Sequence, residues 1–222
     1  ALSCKRVVIE EFLNGPEVSL FGISDGTTIL PMQPAQDFKR AYDGDKGPNT
    51  GGMGAYSPLP WAPSDIVEDT HKQVLAPMIA EMAARGTPFV GLLYAGLALT
   101  DHGTRVIEFN ARFGDPETQV LIPRLKTPLA TLLYKAATGN LAGTTLDWKD
   151  VTAVTVVLAA QGYPTSPISG STISGFTHFD NVQIYHAGTL STEQGLASSG
   201  GRVLTVTGIG EDLTEARDRA YR

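Results

Sequence analysis

Two apolar runs, Val90 to Leu99 and Thr104 to Asn110, flank Asp101 and Gly103, and this pairing constrains the chain more than any other feature. Aliphatic and β-branched residues bounded by turn formers at that separation predict a β-hairpin, so part of the chain must fold as antiparallel sheet. On an extended strand, side chains two residues apart share a face at about 6 to 7 Å. Ile107-Glu108-Phe109-Asn110 therefore sends Glu108 and Asn110 to one side and Phe109 to the other. A carboxylate and an amide oxygen on one face suit Mg²⁺, which prefers hard oxygen ligands and commonly shares them with nucleotide phosphates. Arg112, two positions further on, is a planar cation suited to phosphate oxygens whose charge shifts during a reaction. Taken alone, Glu-x-Asn is equally the pattern of an ordinary strand with one solvated face.

Around this hairpin the chain reads as strands followed by helices and then strands again. Val7 to Leu13 and Glu17 to Ile23 are β-branched and apolar about an Asn14-Gly15 turn signal, and Thr27 to Leu30 follows Asp25-Gly26 as a third strand. From Ser64 to Arg85 the apolar positions Ile66, Val67, Val74, Leu75, Met78, Ile79 and Met82 recur at helical spacing, with Gly86 in the stop position and Pro77 expected to kink or divide the helix. Further helices are expected over Thr118 to Leu125 and Pro128 to Thr138, closed by Gly139. After Leu141 the texture turns to Gly, Thr and Ser, with strands at Val151 to Ala160, Val182 to His186 and Arg202 to Thr207 and a final helix opening near Leu213. These readings give an α+β fold, an antiparallel sheet with packed helices over residues 1–126, a helical connection over 127–150 and a smaller β-rich domain over 151–222.

Between Met32 and Pro60 no apolar period is visible, and a compact domain seldom leaves that length structureless without a function. Gln36-Asp37-Phe38-Lys39-Arg40 leads there into Gly47-Pro48-Asn49-Thr50-Gly51-Gly52-Met53-Gly54. Glycines let backbone approach a ligand, successive N–H groups can form an anion-binding concavity, and Lys39 and Arg40 could pair with phosphate. A flexible surface loop has the same composition. In Asp115-Pro116-Glu117-Thr118 the acid is a preferred N-cap and the proline a preferred first helical residue, an arrangement that also exposes N–H groups to anions.

Other motifs lead nowhere. Gly22-Ile23-Ser24-Asp25-Gly26 spells a nucleophile elbow but lies between strands, not between a strand and a helix. Gly208-Ile209-Gly210 has Leu213 where a dinucleotide fingerprint needs its third glycine. The four histidines lack metal-ligand spacing, and the single cysteine, Cys4, has no partner, which fits a reducing compartment. With 17 basic and 23 acidic residues, a formal charge of -6 and no basic stripe, nucleic acid is not an expected partner. No apolar run approaches the roughly 20 residues that span a bilayer, so no membrane is expected either.

Together, VVIEEFLNGPEVSLF, QDFKRAYDGDKGPNTGGMGAYSP and VIEFNARFGDPETQ resemble the sequence blocks of the glycinamide ribonucleotide synthetases, which are ATP-grasp enzymes. The likeness extends through AAQGYP, HAGT and GGRVLTVTGIG, and so covers nearly the whole chain. It implies the C-terminal half of an ATP-grasp domain followed by a small β-rich domain. It also implies a ligase of purine synthesis in which ATP phosphorylates glycine and the amine of phosphoribosylamine attacks the acyl phosphate. Carried onto matching positions, the resemblance makes Glu108 and Asn110 ligands of Mg²⁺ or Mn²⁺, with Glu10 and Leu13 framing adenine and Glu17 holding ribose. Arg112 would stabilise the transferring phosphoryl group. Asp37, Lys39, Arg40, Asn49, Thr50, Asp115 and Glu117 would bind the acceptor substrates. Phe38 stands where the family usually has His, and Pro16 where it often has an acid. The family's pre-ATP domain, phosphate-covering loop and lysine are not in this sequence, which begins without Met and stops inside a helical pattern. The chain is therefore expected to be a piece of a larger enzyme, cytoplasmic, a monomer or weak oligomer, and inactive by itself. Another ATP-grasp carboxylate–amine ligase and a non-catalytic Mg-nucleotide-binding module are the alternative readings.

Overall fold

A computed structural model describes residues 7–222, and Cys4 lies outside them. Residues 7–16 form neither helix nor strand, and Val7, Val8, Ile9 and Phe12 are exposed. The strand expected over Val7 to Leu13 is absent because β propensity reports fit to a paired, half-buried surface, and this segment has no such partner among the described residues. β1 (Glu17–Asp25) and β2 (Ile29–Pro31) form the first antiparallel pair. The turn between them is held by Asp25, whose Oδ1 accepts from the Thr28 amide at 2.7 Å and whose Oδ2 accepts from the Leu141 amide at 3.0 Å. Burial pushes the Asp25 carboxyl up, but these backbone donors outweigh it and hold the group below the usual carboxylate range.

The segment 32–60 is not a structureless loop. It contains β3 (Gln36–Asp37), β4 (Arg40–Tyr42), β5 (Lys46–Asn49) and β6 (Gly54–Ser57), with β3 paired to β6 and β4 to β5. Strands of two to four residues are too short to display a period of two, which is why the sequence hid them. The expected long helix is divided as anticipated near Pro77: α1 (Ile66–Thr70) passes through a π-helical turn at His71–Leu75 into α2 (Ala76–Ala84). Pro77 follows directly on the π-helical turn, an irregularity in the hydrogen-bond ladder at the place where the proline has no N–H to give.

β7 (Val90–Thr100) and β8 (Gly103–Asn110) are the expected hairpin, and they complete a four-stranded sheet in the order β2-β1-β7-β8. α3 (Thr118–Leu121) and α4 (Leu129–Ala137) follow. Alternation on β1 and β7 gives this sheet two apolar faces. Phe21, Ile23, Leu92 and Tyr94 pack with Val120, Leu121 and Leu132 on the α3 and α4 side. Val18, Leu20, Leu93 and Leu97 pack with Leu75 and Ile79 on the other.

The remaining strands are β9 (Thr152–Ala159), β10 (Val182–His186), β11 (Thr189–Thr192), β12 (Gly195–Ser198) and β13 (Arg202–Gly210), and α5 (Leu213–Ala220) follows them. The second sheet runs β10-β13-β9-β6-β3, so strands from before the expected boundary at 127–150 extend a sheet built from strands after it. A composition shift marks where chain texture changes and not where a sheet ends. α5 lies so close over β13 that a Cβ at Gly208 would come within 2.1 Å of the Ala216 carbonyl oxygen. Helix packing therefore explains the Gly-Ile-Gly that resembled a nucleotide fingerprint, and Asp212 caps α5 by accepting from the Glu215 amide at 2.8 Å.

Candidate functional site

One end of the four-stranded sheet, on its α3 side, gathers ionisable groups from four segments. In register, Gly96 of β7 opposes Glu108 of β8 and Tyr94 opposes Asn110. Gly96 is a requirement of place: a Cβ there would meet the Glu108 Cγ at 3.2 Å and the Tyr94 ring at 3.3 Å. Despite a bulge between Glu108 and Val106, Glu108 and Asn110 keep to one face, and the Asn110 amide donates to Glu108 Oε1 at 3.1 Å. Glu108 is exposed, and neither group is sealed by hydrocarbon.

Beside this pair, β1 brings Glu17 and Ser19, and the β3 segment brings Asp37 and Lys39. The Lys39 ammonium donates to Glu17 Oε2 at 2.8 Å. Burial opposes that ammonium, yet the hydrogen bond to Glu17 and the charges of Asp37, Glu17 and Glu108 hold it above the usual lysine range. Glu117 enters from the far side, just before α3, and is only 4% exposed. Ser19 Oγ donates to Glu117 Oε1 at 3.1 Å and lies 3.0 Å from the Tyr94 hydroxyl. Gly114 makes the room, because a Cβ on it would stand 2.5 Å from Glu117 Oε2. Burial first, and then the charge of Glu117, push the Asp37 carboxyl up to about 6. The same two causes push the Tyr94 phenol well above its ordinary value.

Three carboxylates, Glu17, Asp37 and Glu108, thus act on one lysine, and the fourth, Glu117, bears on Asp37 and Tyr94. Among the described residues no group of three or more His, Cys, Asp or Glu side chains is arranged to hold a metal ion by itself. Glu108 and Asn110 offer two oxygens, which suits a divalent cation that takes the rest of its shell from phosphate and water. The acids nearer Lys39 suit an amine.

Other expected positions are placed differently. Glu10 is exposed and Leu13 half-buried in the segment before β1, and neither joins the cluster. Arg112 is exposed, with its guanidinium on the Phe113 carbonyl at 3.2 Å. Arg40 and Asn49 oppose each other across the β4–β5 hairpin, where the Arg40 guanidinium donates to the Gly47 carbonyl at 2.9 Å. The glycine-rich loop is not an anion cradle. Its Thr50 amide donates to Lys39 O, Gly51 to the Tyr163 hydroxyl, Gly52 to Thr50 Oγ1 and Met53 to Phe38 O, so all four are engaged within the protein. Asp115 is not the expected cap: its Oδ1 accepts from Gln119 at 2.7 Å and its Oδ2 from Arg202 at 3.0 Å. Sequence reasoning missed Ser19, Tyr94, Tyr163 and Arg202. Only Tyr94 left a trace, as the one polar tip within an aliphatic strand.

The architecture is that of the C-terminal half of an ATP-grasp domain with a β-rich unit behind it. A solved biotin carboxylase from Campylobacter jejuni, in complex with a nucleotide, superposes over 95% of this chain and 45% of its own with a TM-score of 0.69 at 14% identity, a likeness of fold alone. Within that class the sequence is more specific. The family model described as phosphoribosylglycinamide synthetase, ATP-grasp (A) domain, matches residues 2–118, and that of the C domain matches residues 153–222. The chain belongs to this family. It is 61% identical to the phosphoribosylamine–glycine ligase of Streptomyces coelicolor, over all of this chain and 55% of that protein. It is 55% identical to the one from Leifsonia xyli, over 97% of this chain and 53% of that protein. The solved phosphoribosylamine–glycine ligase of Thermotoga maritima superposes with a TM-score of 0.84 at 35% identity, over 96% of this chain and 52% of that one. The chain thus spans about half the length of the curated relatives it matches. Among the described residues no helix is long and apolar enough to cross a membrane.

Proposed function

We propose that the natural polypeptide carrying this sequence joins glycine to 5-phosphoribosylamine at the expense of ATP, a step of purine biosynthesis in the cytoplasm. The γ-phosphoryl group passes to the glycine carboxylate, giving glycyl phosphate and ADP. The amine then forms a bond to the acyl carbon, and phosphate leaves as that C–O bond breaks. The observation that carries this reading is the Glu108–Asn110 pair, side by side on one strand face and beside an acid cluster of the kind an amine requires.

Glu108 and Asn110 would hold Mg²⁺ or Mn²⁺, which when bound offsets charge on the phosphate oxygens. Glu17, half exposed and paired to Lys39 through Oε2 alone, would hold the ribose hydroxyls of the nucleotide with its other oxygen. Among the described residues Arg112 has no carboxylate partner, and its exposed guanidinium would turn toward a transferring phosphoryl group. Asp37, Glu117 and Lys39 would orient the amine acceptor, with Asp37 poised to take a proton from its ammonium near neutral pH.

The test is ADP release by the purified natural polypeptide with each carboxylate and amine varied. Release that requires glycine and phosphoribosylamine together, with glycinamide ribonucleotide as product, is expected. Release driven equally well by another amino acid would replace this reading with a different carboxylate–amine ligase, and nucleotide binding without turnover would replace it with a binding module. The 222-residue chain assayed alone is expected to be inactive, since phosphoryl transfer is mostly positioning of groups on both sides of the nucleotide.

A further inference from the structure

We infer that Arg202 is a positioning residue of this site: it clamps the glycine-rich loop to the Asp115 turn and so fixes Asp37 and Lys39 relative to Glu117. The inference rests on the ligase reading above for its functional consequence, but its geometry stands independently. Arg202 opens β13 and reaches from the five-stranded sheet into the site region. Its Nη1 donates to Asp115 O at 2.6 Å and Gly51 O at 2.7 Å, with Gly52 O further off at 3.3 Å. Its Nη2 donates to Asp115 Oδ2 at 3.0 Å, and the side chain is 22% exposed. One planar fork therefore gathers two carbonyls from one segment and a carbonyl and a carboxylate from another.

The neighbouring residues are shaped to this clamp. A Cβ on Gly51 would lie 3.0 Å from the Arg202 Cζ, and one on Gly52, whose φ is +109°, would lie 2.5 Å from Pro116 Cδ. Tyr163 adds a second tie, accepting from the Gly51 amide at 2.9 Å while its ring lies where a Cβ on Gly201 would be. The glycines thus serve close approach of backbone to guanidinium and proline, which accounts for a composition that suggested flexibility or an anion cradle.

From the clamp to the cluster the path is short on both sides. The Thr50 amide and hydroxyl both donate to Lys39 O, at 2.7 and 2.8 Å. Phe38, between Asp37 and Lys39, is bonded through its carbonyl to the Met53 amide and through its own amide to Gly54 O. On the other side, Glu117 is two residues beyond Asp115. Without the guanidinium the two segments would keep the Gly52–Pro116 packing but lose the polar tie between them. A lysine carries the charge but has one point of donation where four acceptors lie in a fork, so charge alone should not substitute.

The experiment compares Arg202→Lys, Arg202→Ala and Tyr163→Phe in the full natural polypeptide, with ATP, glycine and the amine varied in turn. Both Arg202 variants are expected to lose about 10- to 100-fold in kcat/KM for the amine, as misplacement by an ångström does, with KM for ATP unchanged. Tyr163→Phe should show a smaller loss of the same pattern. Hydrogen–deuterium exchange over residues 48–56, without substrates, is expected to be faster in both Arg202 variants. Full activity in Arg202→Lys would overturn the proposal, since charge would then suffice, and so would an equal loss toward ATP and amine accompanied by collapse of the unfolding midpoint. If the unmodified protein releases no ADP with glycine, the ligase reading fails instead, and exchange that is unchanged in the variants would then dispose of the clamp.

Discussion

The four-stranded sheet and the five-stranded sheet are both antiparallel and both covered by helices, yet they treat polar side chains in opposite ways. The five-stranded sheet pairs the polar groups of its interior: Thr155 and Thr207 face each other with their hydroxyls 2.7 Å apart, and Arg202 finds four acceptors. Where the four-stranded sheet meets β3 at the edge of the other, Glu17 and Glu117 instead stand near Asp37, with Lys39 to answer them. Like charges held together raise the free energy of the folded state, and they persist where a ligand relieves them. The interior of the five-stranded sheet answers its own polar groups, and its junction with the four-stranded sheet keeps a surplus of acid.

The largest effect should come from the apolar face beneath the acids. Phe21 is fully buried and packs edge-on against Tyr94 with ring centroids 4.9 Å apart. Phe21→Ala is expected to cost about 3–5 kcal/mol in denaturant unfolding, and a cost below about 1 kcal/mol would mean that the core lies elsewhere.

Next is the cation pair itself. Glu108→Ala in the natural polypeptide should lower glycine-dependent ADP release by about 10²–10³-fold, while the exposed side chain leaves the unfolding curve in place. An unfolding midpoint that falls with the activity would erase the contrast between the two sheets.

The acid cluster makes a prediction of opposite sign. With a folded-state value of about 6 against an ordinary 3.8, Asp37 binds its proton more tightly in the folded than in the unfolded protein. Its contribution is fully present below pH 4, is lost as pH rises through 6, and is constant above that. Asp37→Asn should therefore be more stable than the unmodified protein at pH 8, on the order of 1–3 kcal/mol, with the gap closing as pH falls toward 4. Unfolding titrations of both proteins across that range measure it, and a gap independent of pH would remove the electrostatic account.

The smallest effect belongs to the solvated ion pairs on the helices. Lys72 donates to Glu68 at 2.6 Å on an open surface, and Glu68→Gln should leave the unfolding midpoint unchanged.

How legible this was depended on distance along the chain. Glu108 and Asn110 could be read because strand alternation is a local rule, and the β7–β8 hairpin because its turn lies between its own strands. Val7 to Leu13 was misjudged because a strand exists only with a partner, and the strands within 32–60 were missed because each has too few residues to show a pattern. Asp115 was expected to cap a helix by a local preference. It was claimed instead by Arg202, 87 residues away.

The amino-acid order by itself determined the antiparallel hairpin, the helical stretches and the family, since periodicity and joint motif spacing are properties of neighbouring residues. Only the tertiary structure decided that β6 and β9 share a sheet, that Glu117 folds in toward Ser19 and Tyr94, and that the glycine loop spends its amides internally. Those outcomes depend on which distant groups are left to satisfy one another's hydrogen bonds once the core has closed, and no stretch of sequence carries that information alone.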